Sequence, residues 1–232
     1  GTVYDVTVPN LKGAELAHAA GAEAITVFVS ASEAGSVSGV GKSTAEALKD
    51  AVSVIDYATA NGMQVFGTVS KAFGSAYEGV TPIETVIAIA ETLVGVGASA
   101  ISLGDTSGEA TPLQVARTVE TMLARLGGTP LALHLHDTRG MALANTLAAM
   151  DAGATRFDGA IGGIGGSPFT RNSAGNLATE DFLHMCDSSG IETGIDIGKV
   201  LEIYRFLEET LGHSLPGRIG AVGLSKTAMA DA

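Results

Sequence analysis

Short apolar runs alternate along this chain with longer stretches in which apolar positions recur every three or four residues. Runs of that first kind, rich in Val, Ile, Thr and Phe, predict strands at Thr2–Val8, Ala24–Ser30, Gln64–Ser70, Ala100–Gly104, Leu131–His136 and Arg156–Ile161. The 3.6-residue period predicts helices over Leu11–Ala20, Thr44–Ala60, Ile83–Val94, Leu113–Leu126 and Met141–Ala152, with later ones at Thr179–Ser188 and Gly198–Leu211. Three joints repeat one phrase: "AAGAEAITVFVS", "GVGASAISLGDT" and "DAGATRFDGAIGG" each place a helix-ending Gly and an Ala before a strand. Helix starts are signed by Ser43, by Thr81 before Pro82 and by Thr111 before Pro112.

Strict alternation of strand and helix means a parallel sheet covered by helices. A doubly wound sheet and a barrel both satisfy it, but the repeated joints and the lack of a dinucleotide fingerprint favour the barrel. The expected fold is therefore an α/β (β/α)8 TIM barrel. Only about six βα units plus C-terminal helices can be counted, so the single domain, residues 1–232, reads as a barrel that starts late, without its N-terminal strands.

Composition adds mainly exclusions. With 46% hydrophobic and 16% charged residues, the 232-residue chain can bury a sizeable core. Its net charge of −12 argues against a nucleic-acid or anionic-membrane partner and leaves a small metabolite as the expected ligand. The single Cys186 forms no internal disulfide, and no apolar run or leader-like start points to a membrane, so a cytoplasmic protein is expected.

Candidate chemistry centres on "LALHLHDTRG". His134 and His136 are two apart on a strand and project from one face, while Leu133 and Leu135 project from the other. They sit at the C-terminal end of that strand, where barrels carry their sites. Two imidazoles there are a pair of cis ligands for a divalent metal that needs oxygen donors to complete its shell. "GSVSGVGKS", residues 35–43, has Ser36 where a P-loop needs its first Gly, and reads as a Gly-rich loop. "GGIGGSPF" fails the dinucleotide pattern in every register, but follows the last strand on the histidines' rim as a flexible loop. Beyond it Asn176 offers an amide oxygen and Glu180 a carboxylate. Lys12, Lys42, Lys71 and Arg139 all fall near C-terminal strand ends, where they would offset the acidic surface for an anionic ligand.

The segments "VPNLKG", "SLGDTSGEATP", "LHLHDTRGMALANTLAAM", "GGIGGSPF" and "GNLATED", in this order and spacing, resemble the 3-hydroxy-3-methylglutaryl-CoA lyase family, metal-dependent TIM-barrel lyases with a DRE-type motif. The resemblance covers nearly the whole chain. It implies that His134, His136 and Asn176 bind a divalent metal, Mg²⁺ or Mn²⁺ with Zn²⁺ possible, and that residues 162–168 close over the substrate. It further implies catalytic roles for Asp105, Glu180 and Ser167, and substrate contacts from Asn10, Lys12, Gly165 and Gly166. The expected reaction is cleavage of a 3-hydroxyacyl-CoA or related hydroxy acid to acetyl-CoA and a keto acid such as acetoacetate, in leucine degradation, by a homodimer. Three departures stand out. The family's Arg-Asp motif on the first strand has no counterpart, Ser167 replaces a catalytic cysteine, and Gly39 and Gly41 replace an Asn-x-Asn. A related aldolase or Claisen-type synthase, or a catalytically weakened binding module, are the alternatives.

Overall fold

The computed structural model describes residues 2–166 and 175–224. Six strands, β1 (Asp5–Thr7), β2 (Ala24–Ser30), β3 (Gln64–Ser70), β6 (Ala100–Asp105), β7 (Leu131–Leu135) and β8 (Arg156–Asp158), pair in chain order into one wholly parallel sheet. A two-stranded ribbon, β4 (Gly74–Ser75) with β5 (Gly79–Val80), lies between β3 and β6 in sequence. The helices that connect the strands are α1 (Leu11–Ala19), α2 (Glu33–Val40), α3 (Thr44–Ala60), α4 (Ile83–Gly95), α5 (Pro112–Arg125) and α6 (Ala142–Asp151). After β8 come α7 (Thr179–Ser188), α8 (Ile197–Leu211) and α9 (Arg218–Val222). These are βα units of a TIM barrel, and among the described residues the sheet stays open, with β1 and β8 as its edges.

Strand parity decides what faces the helices and what faces the cavity. Ile25, Val27 and Val29, Val65 and Val69, Ile101 and Leu103, and Leu131, Leu133 and Leu135 are all buried on the helix side. Each such side chain contributes about 1.5–3 kcal/mol by leaving water. The alternate positions, including Thr26, Phe28, Phe66, Thr68, Ser102 and His134, line a concave space of about 510 Å³. The histidine therefore stands on the concave face because its neighbours are leucines.

Several boundaries differ from the sequence expectation. β1 covers Asp5–Thr7 instead of Thr2–Val8, since it pairs only with β2 over three positions. β8 ends at Asp158 because the chain there changes partner, from β7 to segment 177–179: Ala160 bridges Ala178, and Gly159 runs so close to the Leu177 carbonyl that a Cβ would come within 2.5 Å of it. The stretch expected as a Gly-rich loop is mostly α2, whose start is fixed by Ser32, accepting from the Gly35 amide at 3.0 Å, and whose end is the left-handed Gly41. Ser43 does cap α3, in a full capping box with Glu46. Thr81 does not cap α4: its hydroxyl donates to the Lys71 carbonyl at 2.7 Å. Among the described residues no helix is long and apolar enough to cross a membrane.

Candidate active site

The site is assembled where β7 ends. His134 and His136 face each other, their Nε2 atoms 3.1 Å apart. Segment 175–177 runs back along this strand end, held by the Leu177 amide donating to the Leu135 carbonyl at 2.9 Å and the Asp137 amide donating to the Gly175 carbonyl at 3.1 Å. These two bonds set Asn176 opposite His136. The Asn176 amide is oriented by Nδ2, which donates to the Ile164 carbonyl at 2.9 Å. Its Oδ1 is buried and has no hydrogen-bond partner among the described residues. Gly165, at φ +89°, lies so near that a Cβ would sit 2.9 Å from Asn176 Nδ2. Only glycine lets this loop approach so closely.

On its other side His134 is gripped at Nδ1 by the Asp158 carboxylate, from the neighbouring strand β8. Burial works against the His134 cation, but the hydrogen bond and charge of Asp158 outweigh it, with Asp105 adding to the same effect, and the imidazole is raised above its ordinary value. Burial and the neighbouring His134 push His136 down to about 4, so it is neutral near pH 7. Asp158 also fixes the tautomer: Nδ1 carries the proton to the carboxylate and Nε2 points a lone pair toward His136. Asp158 was not anticipated from the sequence, because the register that places it beside His134 is a tertiary fact.

A cavity of about 250 Å³ opens in front of this pair, lined by Ser30, Ser36, Lys71, Thr106 and Gly166 as well as both histidines. The expected substrate residue Gly166 thus belongs to it, with Gly165 next in the chain. Other expected residues lie elsewhere. Asp105 is fully buried on the helix side of β6, its carboxylate accepting from the Glu109 and Ala110 amides at 2.9 and 3.2 Å, and burial pushes it up to about 6. Glu180 is fully buried and accepts from the Gly162 amide at 2.9 Å; burial raises its carboxyl. Asn10 caps α1 by accepting from the Gly13 amide at 3.0 Å, and Lys12 is an exposed partner of Glu15. Ser167 lies outside the described residues.

No cluster of three or more His, Cys, Asp or Glu side chains arranged for a metal ion is present among the described residues. The available donors are instead two imidazoles and an amide oxygen. Two ring nitrogens at 3.1 Å must share a proton or a cation, and a buried amide oxygen with no donor is costly to leave so. Both features fit a divalent cation held by His134, His136 and Asn176.

A sequence model of the HMGL-like family matches residues 2–207. The chain belongs to the HMGL-like family. It is 42% identical to the hydroxymethylglutaryl-CoA lyase of Bacillus subtilis over 94% of this chain and 73% of that one, and 38% identical to the (R)-citramalyl-CoA lyase of Chloroflexus aurantiacus over 95% and 69%. A solved HMG-CoA lyase from Acinetobacter baumannii, in complex with coenzyme A and 3-methylmalate, superimposes with a TM-score of 0.93 at 36% identity, over 97% of this chain and 73% of that one. These HMGL-like relatives are carbon–carbon lyases.

Proposed function

We propose that this HMGL-like protein is a divalent-metal-dependent carbon–carbon lyase that cleaves a 3-hydroxyacyl-CoA into acetyl-CoA and a keto acid such as acetoacetate. The observation that carries the reading is that Asn176, whose buried Oδ1 has no donor among the described residues, is paired with His136, whose imidazole nitrogen faces that of His134. When bound there, a divalent cation supplies Lewis acidity toward a substrate hydroxyl and carbonyl. The chain's own residues prepare the site. Asp158 holds the His134 Nδ1 proton and so leaves the lone pair on Nε2, while burial keeps His136 neutral. The Ile164 carbonyl holds the Asn176 Nδ2 and leaves Oδ1 buried without a partner among the described residues. Cleavage takes the proton from the 3-hydroxyl, breaks the bond between C2 and C3, and returns a proton to C2 of the thioester enolate. Ser167 is the residue we assign to that last proton, on the family resemblance.

The donor set, imidazole and amide oxygen without thiolate, suits Mg²⁺ or Mn²⁺. On the family resemblance we extend the reading to a homodimer acting in leucine degradation, and on the lone Cys186 to a cytoplasmic protein. The experiment is twofold. Calorimetry with Mn²⁺ is expected to show binding by the unaltered protein and at least tenfold weaker binding by His136→Ala. A panel of 3-hydroxyacyl-CoA thioesters, assayed with Mg²⁺ and Mn²⁺, is expected to include at least one that is cleaved. Equal Mn²⁺ affinity in the two proteins, or no cleavage across the panel, overturns the reading.

A further inference from the structure

Four cations stand near the C-terminal ends of the strands, and three are already paired. Lys12 meets Glu15 at 3.1 Å, Lys42 meets Asp50, and Arg139 meets Glu109 at 3.2 Å while donating to the Ser107 and Gly108 carbonyls. Lys71 differs. It is only 4% exposed, and no carboxylate among the described residues lies within ion-pair distance of its Nζ. Its backbone is held at a left-handed φ of +54°, the amide donating to Thr106 Oγ1 at 3.0 Å and the carbonyl accepting from Thr81 Oγ1 at 2.7 Å. A lysine keeps that conformation only where its surroundings impose it, so the root of the side chain is fixed.

The stem crosses α2 at Gly35, where a Cβ would come within 2.6 Å of Lys71 Cδ and 2.7 Å of Cε. Lys71 and Ser36, the next residue of α2, both line the 250 Å³ cavity, and Ser36 Oγ is buried without a hydrogen-bond partner among the described residues. The cavity has the room of about eight waters, enough for a short acid and too little for a nucleotide. An ammonium buried without a counter-ion is costly, and the same cost brings the neutral amine within reach: burial lowers the Lys71 pKa below its ordinary 10.5. A neutral amine is a nucleophile toward carbonyls, and desolvation is one of the ways in which lysines are activated for imine formation.

We infer that Lys71 is the nucleophile of a second activity, in which it forms an imine with a short 3-oxo acid held in this cavity and releases carbon dioxide from it. The activity goes beyond the lyase reading and uses none of His134, His136 and Asn176. The Nζ lone pair attacks the ketone carbon, and the carbinolamine loses its oxygen as water, with Ser36 Oγ as the hydroxyl that passes it a proton. The bond to the carboxylate carbon then breaks. Its electron pair forms a C=C bond while the π pair of the iminium withdraws onto nitrogen, so that CO₂ departs and a neutral enamine remains. A proton returns to carbon and water hydrolyses the iminium, so that one 3-oxo carboxylate and one proton become one ketone and CO₂. Charge selects this substrate class. The iminium cation and the carboxylate are consumed together in the bond-breaking step, and a cavity that offers the cation no counter-ion favours that step. A 2-oxo acid lacks the path, because the electron pair would be left on the C=N carbon itself.

The test uses acetoacetate in the presence of a chelator, so that the outcome does not depend on a bound cation. Borohydride added during turnover is expected to leave an isopropyl group on Lys71, found by peptide mass mapping, while the exposed Lys12 and Lys42 stay almost unmodified. Release of CO₂ should fall to the protein-free rate in Lys71→Met and also in Lys71→Arg, which keeps the charge and forms no imine. Ser36→Ala should be slower by about 100-fold, the low end of what one positioned proton donor contributes. No adduct on Lys71, adducts spread equally over Lys12, Lys42 and Lys71, or CO₂ release that survives in Lys71→Arg overturns the inference. An adduct that keeps its carboxylate, with CO₂ released no faster than without protein, overturns it as well. Cleavage of a 3-hydroxyacyl-CoA by a protein that gives no adduct leaves the lyase reading standing alone. An isopropyl adduct on Lys71 in a protein that cleaves no thioester does the reverse.

Discussion

Two sets of buried polar groups in this protein behave oppositely. Around Asp105 and Glu180 every carboxylate has its donors: Asp105 takes two backbone amides of the loop after β6, and Glu180 takes the Gly162 amide, with Gly217 so close that a Cβ would be 1.7 Å from its Oε1. Around the 250 Å³ cavity the opposite holds. Ser36 Oγ lacks a partner and Lys71 a counter-ion among the described residues, and opposite His136 at the end of β7 Asn176 Oδ1 lacks a partner among them too. Burial alone does not separate the two regions, since both hold deeply buried polar groups. What separates the two carboxylates from Lys71 and from Asn176 Oδ1 is satisfaction. A buried group whose hydrogen bonds are complete fixes the backbone, and one whose bonds are missing is held ready for something that arrives later.

Removing a satisfied group should therefore cost stability. Glu180→Ala leaves the Gly162 amide without its acceptor and opens a void between α7 and the turn at Ile161–Gly163, and it is expected to destabilise by about 4 kcal/mol in urea unfolding. A loss under 1 kcal/mol, with activity abolished, would instead move Glu180 into the reacting machinery. The next effect concerns pH. Asp105 has its carboxyl raised from 3.8 to about 6 in the folded protein, chiefly by burial, so the folded state holds that proton more tightly than the unfolded one. Its favourable contribution is complete below about pH 4 and is lost as pH rises through about 6. The unaltered protein should lose up to about 3 kcal/mol over that interval relative to Asp105→Asn, measured as the difference between their stability–pH curves. Parallel curves would mean that the two amides hold Asp105 ionised throughout.

The same distinction explains what could be read from the sequence. Strand period alone put His134 opposite to Leu133 and Leu135, and the alternation of strand and helix gave the parallel order of β2, β3, β6 and β7. Asn176 came from its motif, and the two bonds of segment 175–177 to β7 account for its position. Asp158 escaped because which residue of β8 meets His134 depends on register, which no local pattern encodes. α2 escaped because Gly35, Gly39 and two serines are poor helix formers, and its start rests on Ser32, a capping residue outside the stretch that drew attention. Lys71 was one of four similar cations by sequence. Only the partners of the other three, supplied by α1, α3 and the loop after β6, single it out.

The smallest effect is also the one that divides the two regions most sharply, because it has the reverse sign. Taking away an unsatisfied group should stabilise the protein. Lys71→Met keeps the length of the stem that packs over Gly35 and deletes an ammonium that has no ion-pair partner among the described residues, and it is expected to raise stability by about 1 kcal/mol near pH 7. Burial lowers the Lys71 pKa from 10.5, so the folded state binds that proton less tightly than the unfolded one. The penalty is therefore full below the lowered value and fades as pH rises toward 10.5, and the gap between variant and unaltered protein should narrow over that range. If Lys71→Met is less stable than the unaltered protein at every pH, the ammonium is a structural group like Glu180, and the contrast between the two regions fails at this residue.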